Sequence, residues 1–234
     1  MMPEPTESEA SLIPYIDAAG ENDNIDAKGP MEWDGAEHSA GLAKDIMAFA
    51  NSRDGGAIVI GKEERNTNEF VKVGLSDPQA ATFETSNVAK WVNARCQPDV
   101  NLVCYRVPHE GKVFMVILIK EFQDVPVICT KGYGSGKDTI LRQGTLYVRT
   151  ANAESAPLGT VEQVRTLIGL STTKRADELL AMFQSMMSGQ PLIQQPDTKE
   201  RYAQEVAAMK DLLEPNLGDT AAQGSWALLF WPTP

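Results

Sequence analysis

A chain of 234 residues with 42% hydrophobic and 23% charged residues is long enough to bury one good core and a small appendage, but not two full domains. No apolar run approaches the roughly 20 residues of a membrane helix, and the acidic first residues lack the basic-then-apolar pattern of a signal peptide. The three cysteines are odd in number and form no CxxC pair, which is typical of reduced core residues. The composition therefore predicts a cytoplasmic globular protein without a membrane anchor.

The net charge of −11 is unevenly distributed along the chain. Ten acidic residues and a single lysine lie in residues 1–40, whereas residues 41–170 hold fifteen basic residues against fourteen acidic ones. The middle of the chain can therefore present a basic face although the whole chain is acidic. The charge neither supports nor excludes a nucleic-acid partner.

The first predicted elements alternate between strand and helix. Residues 1–20 are predicted to form an N-terminal arm, either loosely ordered or a short pairing segment, and residues 24–33 are predicted to be extended. Leu42, Ile46 and Phe49 recur at helical spacing and predict an amphipathic helix over residues 41–51. Paired glycines end it, and the apolar run that follows, residues 57–60, predicts a buried strand.

The remaining elements complete one module. They are a strand at 70–73, a helix at 80–96, a hairpin of strands 100–107 and 113–119 turning at Glu110-Gly111, short strands at 125–129 and 145–149 around a glycine-rich loop, and a helix at 160–170. This order predicts an α/β (α+β) fold: a single mixed-sheet module with flanking helices, ending near residue 170.

Residues 171–234 are predicted to form a C-terminal helical extension. A helix over residues 175–187 is followed by a linker at 190–198, a second helix at 199–213 and an aromatic tail that ends in Trp226–Trp231. The first helix carries an apolar stripe of Leu179, Leu180, Met182, Phe183, Met186 and Met187. Exposed aromatic side chains at this density are costly, and methionine adapts to irregular partner surfaces. The extension is therefore predicted to dock on the core or on a partner, including a second copy of the chain.

Several sequence blocks together resemble one known family. The blocks are Asp26-Ala27-Lys28, then Leu42 to Ile46 with Ala48-Phe49-Ala50-Asn51, then Gly55 to Gly61, and finally Pro98, Pro126 and Leu146-Tyr147-Val148-Arg149. In this order and at these distances they are similar to the Schlafen AlbA-type (AlbA_2) domain, over residues 21–170. The resemblance implies a mixed-sheet α/β fold and nucleic-acid binding, with RNA cleavage in some branches of the family.

The resemblance also implies a metal site. In nuclease members, three carboxylates hold a divalent ion; here Glu21 and Asp26 match the first two, and Glu63 or Glu64 stands for the third. Carboxylates suit Mg²⁺ or Mn²⁺, and Lys28 would steady the phosphate. The chain departs from the family pattern because Asp26 replaces the usual glutamate and Lys62 precedes the glutamate pair. The other interpretation of these acids is a solvated acidic rim.

The cationic candidates for nucleic-acid contact are Lys44, Arg53, Lys131, Lys137, Arg142 and Arg149, with Tyr133 in the centre of the loop KGYGSGK. An aromatic side chain between basic residues can stack a base while the cations follow the backbone. The same loop does not match a phosphate-binding GxxxxGK[ST] motif, since lysine occupies position 131 and aspartate position 138. ATP is therefore not expected as a cofactor.

Two hypotheses of different kinds follow. The first is a nucleic-acid-binding protein of the Schlafen AlbA type with metal-dependent endoribonuclease activity. The alternative is a non-catalytic interaction module that forms homo-oligomers through its C-terminal helix and tail. The enzyme requires Glu21, Asp26 and Glu63 or Glu64 to converge on one point, whereas the interaction module requires only that the apolar stripe and the tail be buried.

Overall fold

The computed structural model of the chain describes residues 9–66, 69–134 and 136–188. The chain divides into two compact units, Met1–Glu178 and Leu179–Pro234, and every described strand lies in the first. The described helices are α1 (Glu9–Asp17), α2 (Glu37–Ala50), α3 (Asp77–Ala81), α4 (Thr85–Asn93) and α5 (Val161–Ser188). None of these helices is both long enough and apolar enough to cross a membrane.

Ten strands are described in this part of the chain. They are β1 (Ile25–Lys28), β2 (Gly56–Ile60), β3 (Lys62–Asn66), β4 (Glu69–Lys72), β5 (Cys96–Gln97), β6 (Leu102–His109), β7 (Lys112–Ile119), β8 (Ile128–Cys129), β9 (Tyr147–Arg149) and β10 (Ser155–Pro157). A four-stranded sheet has the order β1-β2-β7-β6, with β1 parallel to β2 and the other pairs antiparallel. The remaining strands form the two-stranded ribbons β3–β4, β5–β8 and β9–β10. This mixed sheet with helices confirms the predicted fold class.

Helices pack on both faces of the four-stranded sheet. Side chains alternate between the two faces along each strand, so a single strand can contribute to the core on each face. Ile58 and Ile60 of β2 belong to the larger core, which includes the buried side of α2. Ala57 and Val59 belong to a smaller core on the other face, together with Leu12 of α1. The apolar run of β2 is therefore buried on both sides.

The structure confirms three of the sequence predictions, the helix α2, the strand β2 and the β6–β7 hairpin. The hairpin turns at Glu110 and Gly111, whose φ angles of 50° and 73° are those of a two-residue turn between twisted strands. The predicted strand over residues 125–129 is shorter in the structure, where only Ile128–Cys129 pair.

The structure differs from the sequence predictions in three helical regions. The stretch predicted to be an arm forms α1, and both Leu12 and Ile16 on it are completely buried. The predicted helix at 80–96 is two helices, because a capping box at Ser76 starts α3 early and the chain breaks before α4. The two helices expected over 160–170 and 175–187 are the single helix α5.

The helix α5 runs without a break through the Ser-Thr-Thr stretch at residues 171–173. The side-chain hydroxyls of Thr172 and Thr173 donate to the carbonyls of Ile168 and Gly169, one turn earlier in the same helix. Both threonine hydroxyls thus have partners inside the helix. The predicted linker, second C-terminal helix and aromatic tail lie outside the described residues.

Candidate functional site

Asn51, at the end of α2, ties three parts of the chain together. Its side-chain Nδ2 donates to the carbonyls of Val127 and Tyr147 at 2.8 and 2.9 Å, and its Oδ1 accepts from the backbone N–H of Val127 at 2.7 Å. Because the amide is buried, these bonds have no competition from water. The sequence blocks AFAN and YVR, about a hundred residues apart, therefore meet through one side chain.

The strand that Asn51 holds delivers Arg149 to the edge of the sheet. The Arg149 guanidinium lies over the ring of Phe49, 4.5 Å from its centre, and Nη1 is 3.3 Å from both Asp26 Oδ1 and Ser155 Oγ. The side chain is only 4% exposed. Gly56 leaves room for this packing, since a Cβ at that position would overlap the Phe49 ring.

Lys28 lies between two buried carboxylates. Its Nζ is 2.7 Å from Asp26 Oδ2 on the same strand and 3.1 Å from Asp45 Oδ2 on α2. Burial alone would lower the pKa of Lys28, but the negative charges of Asp45 and Asp26 outweigh it and raise the pKa above its usual value. The pKa of Asp26 is also raised, first by burial and then by the charge of Asp45.

These residues line a cleft of about 660 Å³, called here the acidic cleft. Its charged lining residues are Glu21, Asp26, Lys28, Glu37, Lys44, Asp45, Arg149 and Glu154. Glu21 Oε1 accepts from the backbone N–H of Ala27 at 3.1 Å, and partial burial and the charge of Asp26 raise the pKa of Glu21. The structure thus brings together five predicted residues, Glu21, Asp26, Lys28, Lys44 and Arg149.

Glu63 and Glu64 are placed elsewhere. Both are exposed on β3 and neither lines the acidic cleft. The preceding Lys62 is buried and donates to the carbonyl of Ala18 at 2.6 Å, and burial lowers its pKa. Within the described ranges, no set of three carboxylate or imidazole ligands that includes Glu21 or Asp26 has its ligand atoms within 4.8 Å of one another.

The donor set of the acidic cleft therefore does not fit a divalent metal ion as the side chains stand. Asp26 and Asp45 offer carboxylate oxygens, which Mg²⁺ and Mn²⁺ prefer. However, the Lys28 ammonium already lies between them, and the charge of a metal ion there would be unfavourable next to it. No reaction step through a metal follows from this geometry.

A second set of predicted residues lies on the loop between β8 and β9. Tyr133 and Leu141 pair across this loop, with two backbone N–H groups donating at 2.9 and 3.2 Å, and the Tyr147 hydroxyl accepts from the backbone N–H of Arg142 at 2.7 Å. Ile140 of the same loop lines the acidic cleft, so the loop borders the cleft.

The loop lies against aromatic and cationic side chains from the end of α4. The Tyr133 ring is 6.1 Å from that of Trp91, and the Arg95 guanidinium stacks on Trp91 at 3.6 Å. The carbonyl of Arg95 accepts from the backbone N–H groups of Thr130 and Lys131. We call Trp91, Arg95, Lys131, Tyr133 and Arg142 the loop surface.

The cations of the acidic cleft and of the loop surface are paired to different extents. In the cleft, Lys28 and Arg149 are paired with carboxylates, whereas Lys44 forms no ion pair among the described residues. Over residues 9–66, 69–134 and 136–188, neither Arg95, Lys131 nor Arg142 forms an ion pair. The positive charge of the loop surface is therefore available to an anionic ligand.

Two predicted cations remain. Arg53 is exposed and lines a separate cavity of about 600 Å³, of which Arg149 also forms part of the wall. Lys137 falls within a short helical turn at Gly136–Asp138, and its side chain lies outside the described residues. No residue of the loop surface lines the cavity at Arg53.

The sequence did not single out three residues of these two regions. They are Asp45 of the acidic cleft and Trp91 and Arg95 of the loop surface. Asp45 occupies the buried stripe of α2, three residues after Leu42 and one before Ile46. A carboxylate at a buried helical position is a usable signal, since such groups are seldom buried without a partner. Trp91 and Arg95 are four residues apart, the spacing at which a helix brings two side chains together.

The fold and site define a small mixed-sheet α/β domain with a paired charge cluster on its edge strand β1. The family model described as Schlafen, AlbA_2 matches residues 21–156. The chain belongs to this family, which confirms the predicted family membership. A search of curated proteins found no match.

Two solved structures are similar to the chain. The DIP2311 protein from Corynebacterium diphtheriae matches with 16% identity and a TM-score of 0.43, over 68% of this chain and 32% of that protein. The N-terminal domain of a RecG-related protein from Nitrosomonas europaea matches with 22% identity and a TM-score of 0.36, over 50% of this chain and 74% of that domain. The chain thus spans about a third of the first protein's length.

Proposed function

We propose that the protein binds single-stranded nucleic acid, RNA or DNA, on the loop surface. Membership in the Schlafen AlbA_2 family supports a nucleic-acid-related function. The observation that carries the proposal is the set of unpaired cations around half-buried aromatic rings. Bases stack on aromatic rings and on arginine guanidinium planes, while Lys131 and Arg142 are free to contact phosphates.

Single strands fit this surface better than duplexes. Tyr133 and the Arg95–Trp91 stack offer planar groups that can receive unstacked bases, which a duplex keeps paired. The described part of the chain also presents the flanking acidic cleft, whose lining acids outnumber its bases. A rigid duplex lying across both regions would bring phosphates close to those carboxylates, whereas a flexible strand can stay on the loop surface.

The test is a fluorescence-anisotropy titration of labelled single-stranded RNA and DNA in a chelator. Lys131→Ala/Arg142→Ala is compared with Lys120→Ala/Arg165→Ala, which removes the same charge from exposed cations outside the loop surface. Each phosphate contact on a single strand contributes about −0.7 to the slope of log K against log[salt]. We expect the loop variant to lower that slope by about 1.4 in magnitude and the control to leave it unchanged. Equal effects of both variants, or no binding by the wild type, would contradict the proposal.

Metal-dependent endoribonuclease activity with Mg²⁺ or Mn²⁺ stays a prediction of the family resemblance. The acidic cleft does contain Glu21, Asp26 and Lys28, but its donor set does not fit the ion. The same labelled RNA and DNA, incubated with the protein in Mn²⁺ without chelator and separated on a denaturing gel, would reveal cleavage. Loss of cleavage in Glu21→Ala/Asp26→Ala would assign it to the cleft.

A second candidate function, homo-oligomer assembly, is supported by apolar exposure in the second unit. Leu179 and Leu180 are 58% and 56% exposed, which is costly for adjacent leucines. We expect Leu179→Ser/Leu180→Ser to reduce the mass measured by light scattering if the helix joins copies of the chain. The same mass for the wild type and the variant would remove this candidate.

We place either function in the cytoplasm because all three cysteines are free thiols.

A further inference from the structure

The clearest unexplained feature of the molecule is the position of Lys28. Its ammonium lies 2.7 and 3.1 Å from one oxygen each of Asp26 and Asp45. The side chains of these acids are only 4% and 9% exposed, whereas that of Lys28 is 33% exposed. A buried pair of carboxylates facing one point is the arrangement that attracts a cation, and here a side chain of the same chain supplies that cation.

The charges of this cluster are already balanced. Asp26 and Asp45 contribute two negative charges, and Lys28 and Arg149, both within 3.3 Å of Asp26, contribute two positive charges. A divalent ion added to the cluster would leave an excess of positive charge in a poorly solvated place, which is unfavourable. Glu21, another acid of the cleft, accepts a hydrogen bond from the backbone N–H of Ala27.

The ligands that a metal would need are also dispersed. Glu63 and Glu64 do not line the acidic cleft, and Lys62, immediately before them, brings a further positive charge near Glu21. Among the described residues, the ligand group whose atoms lie within 4.8 Å of one another is Asp17, His109 and Glu110. Lys72 contacts all three, so a lysine also takes the central position there.

We propose that Lys28 is the resident cation of the acidic cleft: its ammonium occupies the place between Asp26 and Asp45 that a divalent metal ion would take, and the cleft works without one. The charge balance of the cluster is then built into the covalent chain. If the proposed nucleic-acid binding holds, that binding does not require Mg²⁺ or Mn²⁺. The occupancy of the cleft by Lys28 does not depend on it.

Removing the charge of Lys28 should create a metal site if Lys28 replaces the ion, whereas in a cleft that already binds a metal no new site is expected. Replacing Lys28 with methionine keeps most of the apolar stem, one atom shorter, and removes the charge, so two buried carboxylates are left without the ammonium between them. Lys28→Met is therefore expected to gain a site for one divalent ion. Lys44→Met is the matched control, because Lys44 lines the same cleft, loses the same charge and forms no ion pair among the described residues.

The test is Mn²⁺ binding by the full chain, measured by electron paramagnetic resonance of free Mn²⁺. We expect no saturable Mn²⁺ binding by the wild type or Lys44→Met, and one saturable site in Lys28→Met. Adding Asp45→Asn to Lys28→Met should abolish the gained site. Circular dichroism of each variant establishes that it is folded.

Several results would overturn the proposal. One is saturable binding of Mn²⁺ by the wild type that a folded Asp26→Asn abolishes. Another is a folded Lys28→Met that gains no site, or a Lys44→Met that gains the same site. The wild-type titration is measured without nucleic acid, so it distinguishes failure of this proposal from failure of nucleic-acid binding. Anisotropy in chelator and in Mg²⁺, compared at matched ionic strength, should then show that binding does not require Mg²⁺.

Discussion

The three hydrogen bonds of the Asn51 side chain make Asn51→Ala the most informative perturbation of the scaffold. The substitution removes the partners of two carbonyls and one N–H, those of Val127 and Tyr147, at residues only 1% and 2% exposed. Leaving a buried polar group unsatisfied costs about 1–3 kcal/mol. Because a carbonyl is less demanding than an N–H and some relaxation will occur, we expect a total loss of about 3–5 kcal/mol.

A loss of this size is a large part of the 5–15 kcal/mol stability typical of such domains, and corresponds to a fall in Tm of about 8–15 °C. The assay is urea unfolding followed by circular dichroism, with the slope m compared between variants. Asn87→Ala is the control, since Asn87 is exposed and its Nδ2 is 3.3 Å from Glu84; it should change stability by less than about 0.5 kcal/mol. If Asn51→Ala lowers the free energy of unfolding by less than about 1 kcal/mol, this amide does not hold β9 in place.

Two further predictions concern packing and cysteine chemistry. Gly56→Ala should destabilise the fold, since a Cβ there would overlap the Phe49 ring. Gly169→Ala lies inside α5, where a Cβ meets nothing within 4 Å, and should stabilise the fold by about 0.5–1 kcal/mol. The same urea assay measures both variants, and equal effects would contradict the packing of Gly56 against Phe49. Burial raises the pKa values of Cys96 and Cys104 to about 12, so these thiols stay protonated until the pH approaches that value. We expect slow reaction with a disulfide reagent at pH 8 in the native protein and fast reaction in urea; fast native reaction would show that the thiols are accessible.

The elements that the sequence predicted correctly have strong local patterns. The stripe of Leu42, Ile46 and Phe49 and the branched run of β2 can be recognised without knowledge of the rest of the chain. In contrast, α1 contains Pro14, which argues against a helix, and the burial of Leu12 against the sheet overrides that preference. Tertiary packing of this kind is not visible in a short window.

The candidate site was predictable only in part, for a similar reason. Asp26 and Lys28 share a strand, so their proximity follows from the spacing of alternate residues. The contact of Lys28 with Asp45 depends on how α2 packs on the sheet. The stack of Arg95 on Trp91 beside Tyr133 depends on the pairing of β5 with β8, some thirty residues apart. Such contacts are set by the fold and not by motif spacing.

Photo-crosslinking reports where the nucleic acid lies, and it therefore tests whether single strands bind on the loop surface. A single-stranded oligonucleotide carrying a photoreactive base would be irradiated with the wild-type protein in chelator, and the crosslinked peptide identified by mass spectrometry. We expect crosslinks at Tyr133 or Trp91, in peptides of the loop surface, and their loss in Lys131→Ala/Arg142→Ala. Crosslinks confined to other described peptides, such as those of α1 or β3, would contradict it.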